Sequence, residues 1–137
     1  EKKALFQNCL LGLPGSDESF TPQQVLDALK EYDHIDAQKL KAHLLYFLQS
    51  ITPTAEEVGL KLAIHPDDPP YPILGLPRIV STEKDLEELL KASPLKANGL
   101  CFCTGSLGAR PDNNILKRVK QFADRIHFLH LRNTKRD

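Results

Sequence analysis

Two histidines and a cysteine stand where chemistry could happen. One apolar run ends Ile64-His65-Pro66, a second ends Phe102-Cys103-Thr104 and a third ends Leu129-His130-Leu131. Imidazole nitrogens and a thiolate suit zinc, iron or manganese-type divalent ions to differing degrees. The three lie 38 and 27 residues apart, so only a fold that gathers the ends of successive strands brings them together. As residue types they leave two readings open. A histidine near a strand end often makes a structural hydrogen bond, and a cysteine in a strand often serves as a small apolar residue. Three such residues at three successive equivalent positions are harder to dismiss than one.

The neighbours sort themselves around these three. Cys101 shares a face with Cys103 but sits roughly 6.6 Å further back along the strand, so Cys103, at the rim, is the better ligand. Cys9 is isolated. His34 and His43 belong to helix or helix-flanking surface. Strict alternation puts His127 opposite His130, towards the helix layer, and groups His130 with Phe128 and Ile126. Asp67 and Asp68 directly follow His65 and could either support a ligand imidazole or solvate a loop. Arg78, Arg110 and Arg132 lie in or beside loops of the same edge. A guanidinium there can hold a carboxylate in a bidentate pair or make a surface ion pair.

The elements that must position these residues alternate helix with strand. Residues 4–20 mix a short apolar stretch with a Gly- and Pro-containing loop. Thr21-Pro22-Gln23-Gln24 is a helix start, with a capping box and proline at the first helical position. Helices are expected near 22–32, 37–58, 82–92 and 112–123, and strands near 60–65, 99–103 and 126–131. Leu40, Leu44, Phe47, Ile51, Ala55 and Val58 mark the apolar stripe of the second helix, and Pro53 predicts a kink or break there. Half of the ten prolines fall between 66 and 77, which makes a stiff loop without regular structure. Residues 105–113 read as a polar loop. Strands spaced by helices imply parallel pairing, and near-continuous apolar strands imply burial on both faces. In a parallel sheet all carboxyl ends share one edge, where α/β proteins build their sites.

Composition narrows the function classes. Length predicts one domain. Hydrophobic residues make up 41 % and charged residues 26 %, which argues against disorder. Eighteen basic residues balance eighteen acidic ones, giving no support to a nucleic-acid or anionic-membrane binder. No apolar run approaches the roughly 18 residues of a membrane span, and no signal peptide opens the chain. Three cysteines make no disulfide framework, so a reducing, cytoplasmic setting is expected. With no methionine, residue 1 does not read as a translation start, and an internal segment of a longer protein is expected.

Three long motifs resemble one family. His65-Pro66-Asp67-Asp68-Pro69-Pro70, followed by Ile73-Leu74-Gly75-Leu76-Pro77-Arg78-Ile79-Val80-Ser81, resembles the signature loop of D-mannonate dehydratases. Asn98-Gly99-Leu100, leading to Cys103-Thr104-Gly105-Ser106-Leu107-Gly108, is similar to the family's second signature. Arg125-Ile126-His127-Phe128-Leu129-His130-Leu131-Arg132-Asn133 is similar to its third. Ala4-Leu5-Phe6-Gln7-Asn8 and Gly12-Leu13-Pro14-Gly15 also fit. The resemblance implies a TIM (β/α)8 barrel, here a partial barrel of about three parallel strands with flanking helices in one segment, 1–137. It implies one divalent ion, Mn2+ or Fe2+, and loss of water from D-mannonate to give 2-keto-3-deoxy-D-gluconate in hexuronate and glucuronate catabolism. By motif match, His65, Cys103 and His130 correspond to three of the family's metal ligands. Asp67, Asp68, Arg78, Ser106 and Arg132 are candidates for substrate binding or for support of those ligands. A homo-oligomer acting on a small sugar acid, with no nucleic-acid or membrane partner, is the expectation.

The family's aspartate ligand comes from a later strand, and no residue here supplies it. Its acid–base residues have no counterpart either, so the catalytic residues stay unassigned within 1–137 and the isolated segment is expected to be inactive or nearly so. Two other readings compete: another metal-dependent sugar-processing barrel, such as an isomerase or epimerase, and an inactive fragment. A barrel acting on abasic nucleic acid would need more His, Asp and Glu at strand ends and a basic surface.

Overall fold

The computed structural model describes residues 20–135, in two units that divide after Asp36. The expected loop before residue 20, Cys9 and the motif segments Ala4–Asn8 and Gly12–Gly15 lie outside the described residues.

The first unit contributes helix α1, Pro22–Glu31. Its capping box forms as expected: the Thr21 hydroxyl accepts the Gln24 N–H, and the Gln24 side-chain oxygen accepts the Thr21 N–H at 2.8 Å. None of its residues is buried.

The second unit runs α2 (Ala37–Glu57), β1 (Leu62–Ile64), α3 (Glu83–Ala92), β2 (Asn98–Cys103), α4 (Thr104–Gly108), α5 (Ile115–Phe122), a 3-10 turn (Ala123–Arg125) and β3 (Ile126–His130). The strands form one sheet in the order β1-β2-β3, parallel throughout. β2 is central and buried along its whole length. Burial on both faces does not extend to the edge strand β3, where Phe128 is 58 % and Leu129 52 % exposed.

The core lies between sheet and helices. Leu100 and Phe102 of β2 meet Leu86, Leu89 and Leu90 of α3, together with Leu48, Leu107, Val80 and Phe122. Helix α2 runs through Pro53 without a break, and its buried stripe is Leu48, Thr52 and Ala55. The expected stripe is therefore rotated, and Phe47 and Val58 are exposed. Thr52 can enter the core because its hydroxyl shares a 2.7 Å hydrogen bond with Ser93. On α5, Leu116 is exposed, whereas Arg118 is buried and ion-paired with Glu83.

The amino-terminal end of the sheet is locked by polar groups. The buried Asn98 amide donates to the carbonyls of Leu89 and Ser93, both at 3.0 Å. The Arg125 guanidinium donates to the carbonyls of Asn98, Ser93 and Leu95. These bonds tie the turn before β2 to the start of β3, at the end where both strands begin. Among the described residues, no helix is long and apolar enough to cross a membrane.

Candidate metal centre

His65 follows β1 immediately, and Cys103 and His130 are the last residues of β2 and β3. Cys103 and His130 are register partners. One ligand-type atom from each of His65, Cys103 and His130 lies within 4.8 Å of the others. Ligands of one ion with bonds of about 2.0–2.3 Å stand roughly 3 to 4.5 Å apart, so the bound is slightly looser than that geometry requires. His65 Nε2 and His130 Nδ1 are 3.1 Å apart.

Two of the three donors, His65 and Cys103, are held in a usable state. His65 Nδ1 lies 2.6 Å from the Pro66 carbonyl oxygen. A carbonyl only accepts, so Nδ1 carries the proton and, in the neutral ring, Nε2 presents its lone pair. Cys103 is fully buried, and its sulfur accepts hydrogen bonds from the Ser106 N–H and hydroxyl, both at 3.3 Å. Burial opposes the thiolate. The Ser106 hydroxyl, the N–H groups of Ser106 and Gly105, and the Arg132 charge outweigh it, so the thiol lies below its ordinary value. Cys101, further back on the same strand, moves the other way: burial and the neighbouring Cys103 push it up. The donor set therefore fits a divalent transition ion, with one thiolate and two imidazoles at the rim of a parallel sheet.

The supporting residues divide. Arg132 reaches from the end of β3 to Asp68 and to the Ser106 hydroxyl, the latter at 3.0 Å. Thr104 ties the end of β2 to the same segment: its hydroxyl donates to the Arg132 carbonyl at 2.6 Å and accepts the Arg132 N–H at 2.9 Å. Asp67 is engaged elsewhere. Its carboxylate accepts the N–H groups of Ile79 and Val80 and the Ser81 hydroxyl, closing the proline-rich loop on itself. Arg78 donates to the Tyr71 carbonyl within that loop. Arg110 pairs with Asp112, donates to the Pro70 carbonyl and lies over the Tyr71 ring.

Two features depart from the expectation. Residues 104–108 form helix α4 rather than loop, which is what turns Ser106 back onto Cys103. The β2–β3 register also shifts between Leu100 and Cys101: Leu100 faces Ile126, but Cys101 faces Phe128. This irregularity cancels strict alternation. Ile126 joins the helix-side core, and the His127 ring lies against Gly99, on the face of Cys101 and Cys103. Thr104 and the Pro66 carbonyl were the partners sequence reasoning missed. A hydroxyl directly after a strand-end ligand was the available signal for Thr104.

A parallel α/β sheet that presents a thiol and two imidazoles at its carboxyl edge defines an α/β protein with a candidate strand-end metal site. All 137 residues match the D-mannonate dehydratase (UxuA) family, and the chain belongs to that family. It is 53 % identical over 137 residues to a mannonate dehydratase of Marinomonas sp. (strain MWYL1), covering 100 % of this chain and 35 % of the relative. It is 51 % identical over 134 residues to mannonate dehydratase 1 of Agrobacterium fabrum (strain C58), covering 98 % and 33 %. Among solved structures it is similar to the crystal structure of mannonate dehydratase from Streptococcus suis serotype 2. There the TM-score is 0.73 at 38 % identity, covering 85 % of this chain and 34 % of the other. The chain thus spans about a third of the length of the curated relatives it matches.

Proposed function

We propose that this chain is the metal-holding section of a hydro-lyase that removes water from D-mannonate to give 2-keto-3-deoxy-D-gluconate. The observation that carries the reading is the gathering of His65, Cys103 and His130 donor atoms within 4.8 Å in a member of the family. These three would hold one divalent ion, Mn2+ or Fe2+, with further positions filled from outside the segment or by water. Such an ion supplies Lewis-acid stabilisation of the negative charge that develops when a proton leaves the carbon beside a carboxylate.

The chain's own residues orient this chemistry. His65 is kept in one tautomer by the Pro66 carbonyl. Arg132 and Asp68 set a paired cation and anion beside the donors, at the rim where a sugar acid would approach. The base that takes the proton and the acid that protonates the departing hydroxyl are assigned outside residues 1–137. The remainder of the proposal is a (β/α)8 barrel of which residues 1–137 form one part, assembled as a cytoplasmic homo-oligomer in sugar-acid catabolism. Its partner is a small sugar acid rather than nucleic acid or membrane.

The test uses the full-length protein carrying this segment. After chelation and reloading with Mn2+ or Fe2+, it should convert D-mannonate to the 2-keto-3-deoxy acid. Cys103→Ala and His65→Ala should lose both bound metal and turnover. Undiminished turnover in both variants would overturn the assignment.

A further inference from the structure

The loops after all three strands meet in one chain of polar contacts beside Cys103. Asp68 comes from the loop after β1, Ser106 from α4 after β2, and Arg132 from the segment after β3. The Arg132 guanidinium contacts Asp68 and donates to the Ser106 hydroxyl, and that hydroxyl donates to the Cys103 sulfur. The backbone is shaped for this path. A Cβ at Gly105 would fall well inside contact distance of Arg132 Nε, and 3.0 and 3.1 Å from its Cβ and Cγ, so glycine gives the arginine room to cross to Ser106 as it does.

From this geometry we propose that Ser106 and Arg132 are positioning residues for the Cys103 sulfur. Asp68 anchors Arg132, Arg132 holds the Ser106 hydroxyl in the rotamer that points its proton at sulfur, and Ser106 fixes how the sulfur faces a bound ion. The Arg132–Asp68 pair is about 40 % exposed on each side (38 % and 42 %), and such pairs add little to stability. Its placement is better accounted for by orientation. Ser106, by contrast, is buried and gives both its N–H and its hydroxyl to one sulfur. Groups that orient a metal ligand from behind commonly change metal affinity 10–100-fold when removed.

The inference rests on Cys103 being a metal ligand, and the experiment separates the two. The full-length protein carrying this segment is freed of metal and titrated with Co2+, following the near-ultraviolet thiolate-to-cobalt charge-transfer band. Wild type should show the band and Cys103→Ser should lose it; no band in wild type overturns the ligand reading itself. Ser106→Ala should keep the band but move it to lower energy, because a sulfur without its hydroxyl donor gives up electron density more easily. Its Co2+ affinity should fall by about 10-fold or more. Asp68→Asn, a change at an exposed position that leaves the fold intact, should move the band in the same direction by less. A band and affinity equal to wild type in both Ser106→Ala and Asp68→Asn would overturn the positioning role while leaving Cys103 a ligand.

Discussion

Gly99 shows how a single missing side chain organises the sheet. It sits in the central strand, paired with Ala63 of β1, and the His127 ring from β3 lies in the space its Cβ would take. From there His127 Nδ1 donates to the Leu62 carbonyl at 2.9 Å, so one imidazole ties all three strands together. The Arg125 carbonyl oxygen also crowds the same space. Gly99→Ala must therefore push on a ring and on backbone at once. Overpacking of this kind costs about 1–3 kcal/mol. The full-length protein carrying Gly99→Ala should unfold at lower temperature than wild type. Adding His127→Ala should restore only part of the loss, because the backbone oxygen cannot yield. An unchanged midpoint in Gly99→Ala would show that the close approach is not rigid.

Asp85 carries two elements at once. As the third residue of α3 it closes the capping box with Thr82, accepting the Thr82 N–H and hydroxyl and the Ser81 N–H. Its other oxygen accepts the Lys41 ammonium of α2 at 2.5 Å, and Glu88 accepts the same ammonium at 2.8 Å. Burial alone would raise the Asp85 carboxyl; Lys41, Thr82 and the Ser81 and Thr82 N–H groups outweigh it and hold the carboxyl below the usual range. A carboxyl depressed in the folded state stabilises fully above its unfolded value, near 3.9, and loses that contribution as pH falls through the folded value. Asp85→Asn should therefore lower stability at pH 7 and converge with wild type at acid pH below the folded value. A gap that persists unchanged into acid would refute the linkage. At this scale the sequence was largely legible. Thr21-Pro22 announced its helix. The spacing of apolar runs announced three parallel strands ending at His65, Cys103 and His130. What stayed hidden depends on contacts distant in sequence. The Thr52–Ser93 bond rotates the buried stripe of α2, and the shifted register of β3 carries His127 across to Gly99. Gly105 and Gly108 looked like loop because glycine lowers helix propensity, yet the turn they occupy is the one that brings Ser106 to Cys103.

For the whole molecule, what matters is that a chain spanning about a third of the length of its relatives carries a sheet of three strands. A (β/α)8 barrel takes about 250 residues and closes its sheet on itself. Here β2 is enclosed, but β1 and β3 each lack a second neighbour among the described residues. Apolar surface is correspondingly open along β3, where Val119, Ala123, Ile126, His127, Phe128 and Leu129 line a shallow groove of about 430 Å³. Three donors can retain an ion, since metal sites commonly complete their coordination with water. Elimination asks for more: a base within hydrogen-bond reach of the carbon acid and an acid beside the leaving hydroxyl. Asp67 is committed to the Ile79 and Val80 N–H groups, and Asp68 to Arg132, so neither of the nearest carboxylates is free for the task. Binding and turnover should therefore come apart when the 137-residue chain is made alone. It should retain Mn2+ or Fe2+ more weakly than the full-length protein and release no 2-keto-3-deoxy acid from D-mannonate. The measurement is a product assay beside metal analysis of the same sample. Turnover by the isolated chain at an enzymatic rate, abolished by His65→Ala or Cys103→Ala, would mean that a base and an acid lie within these residues after all. The division of labour between this segment and the rest of the polypeptide would then be wrong.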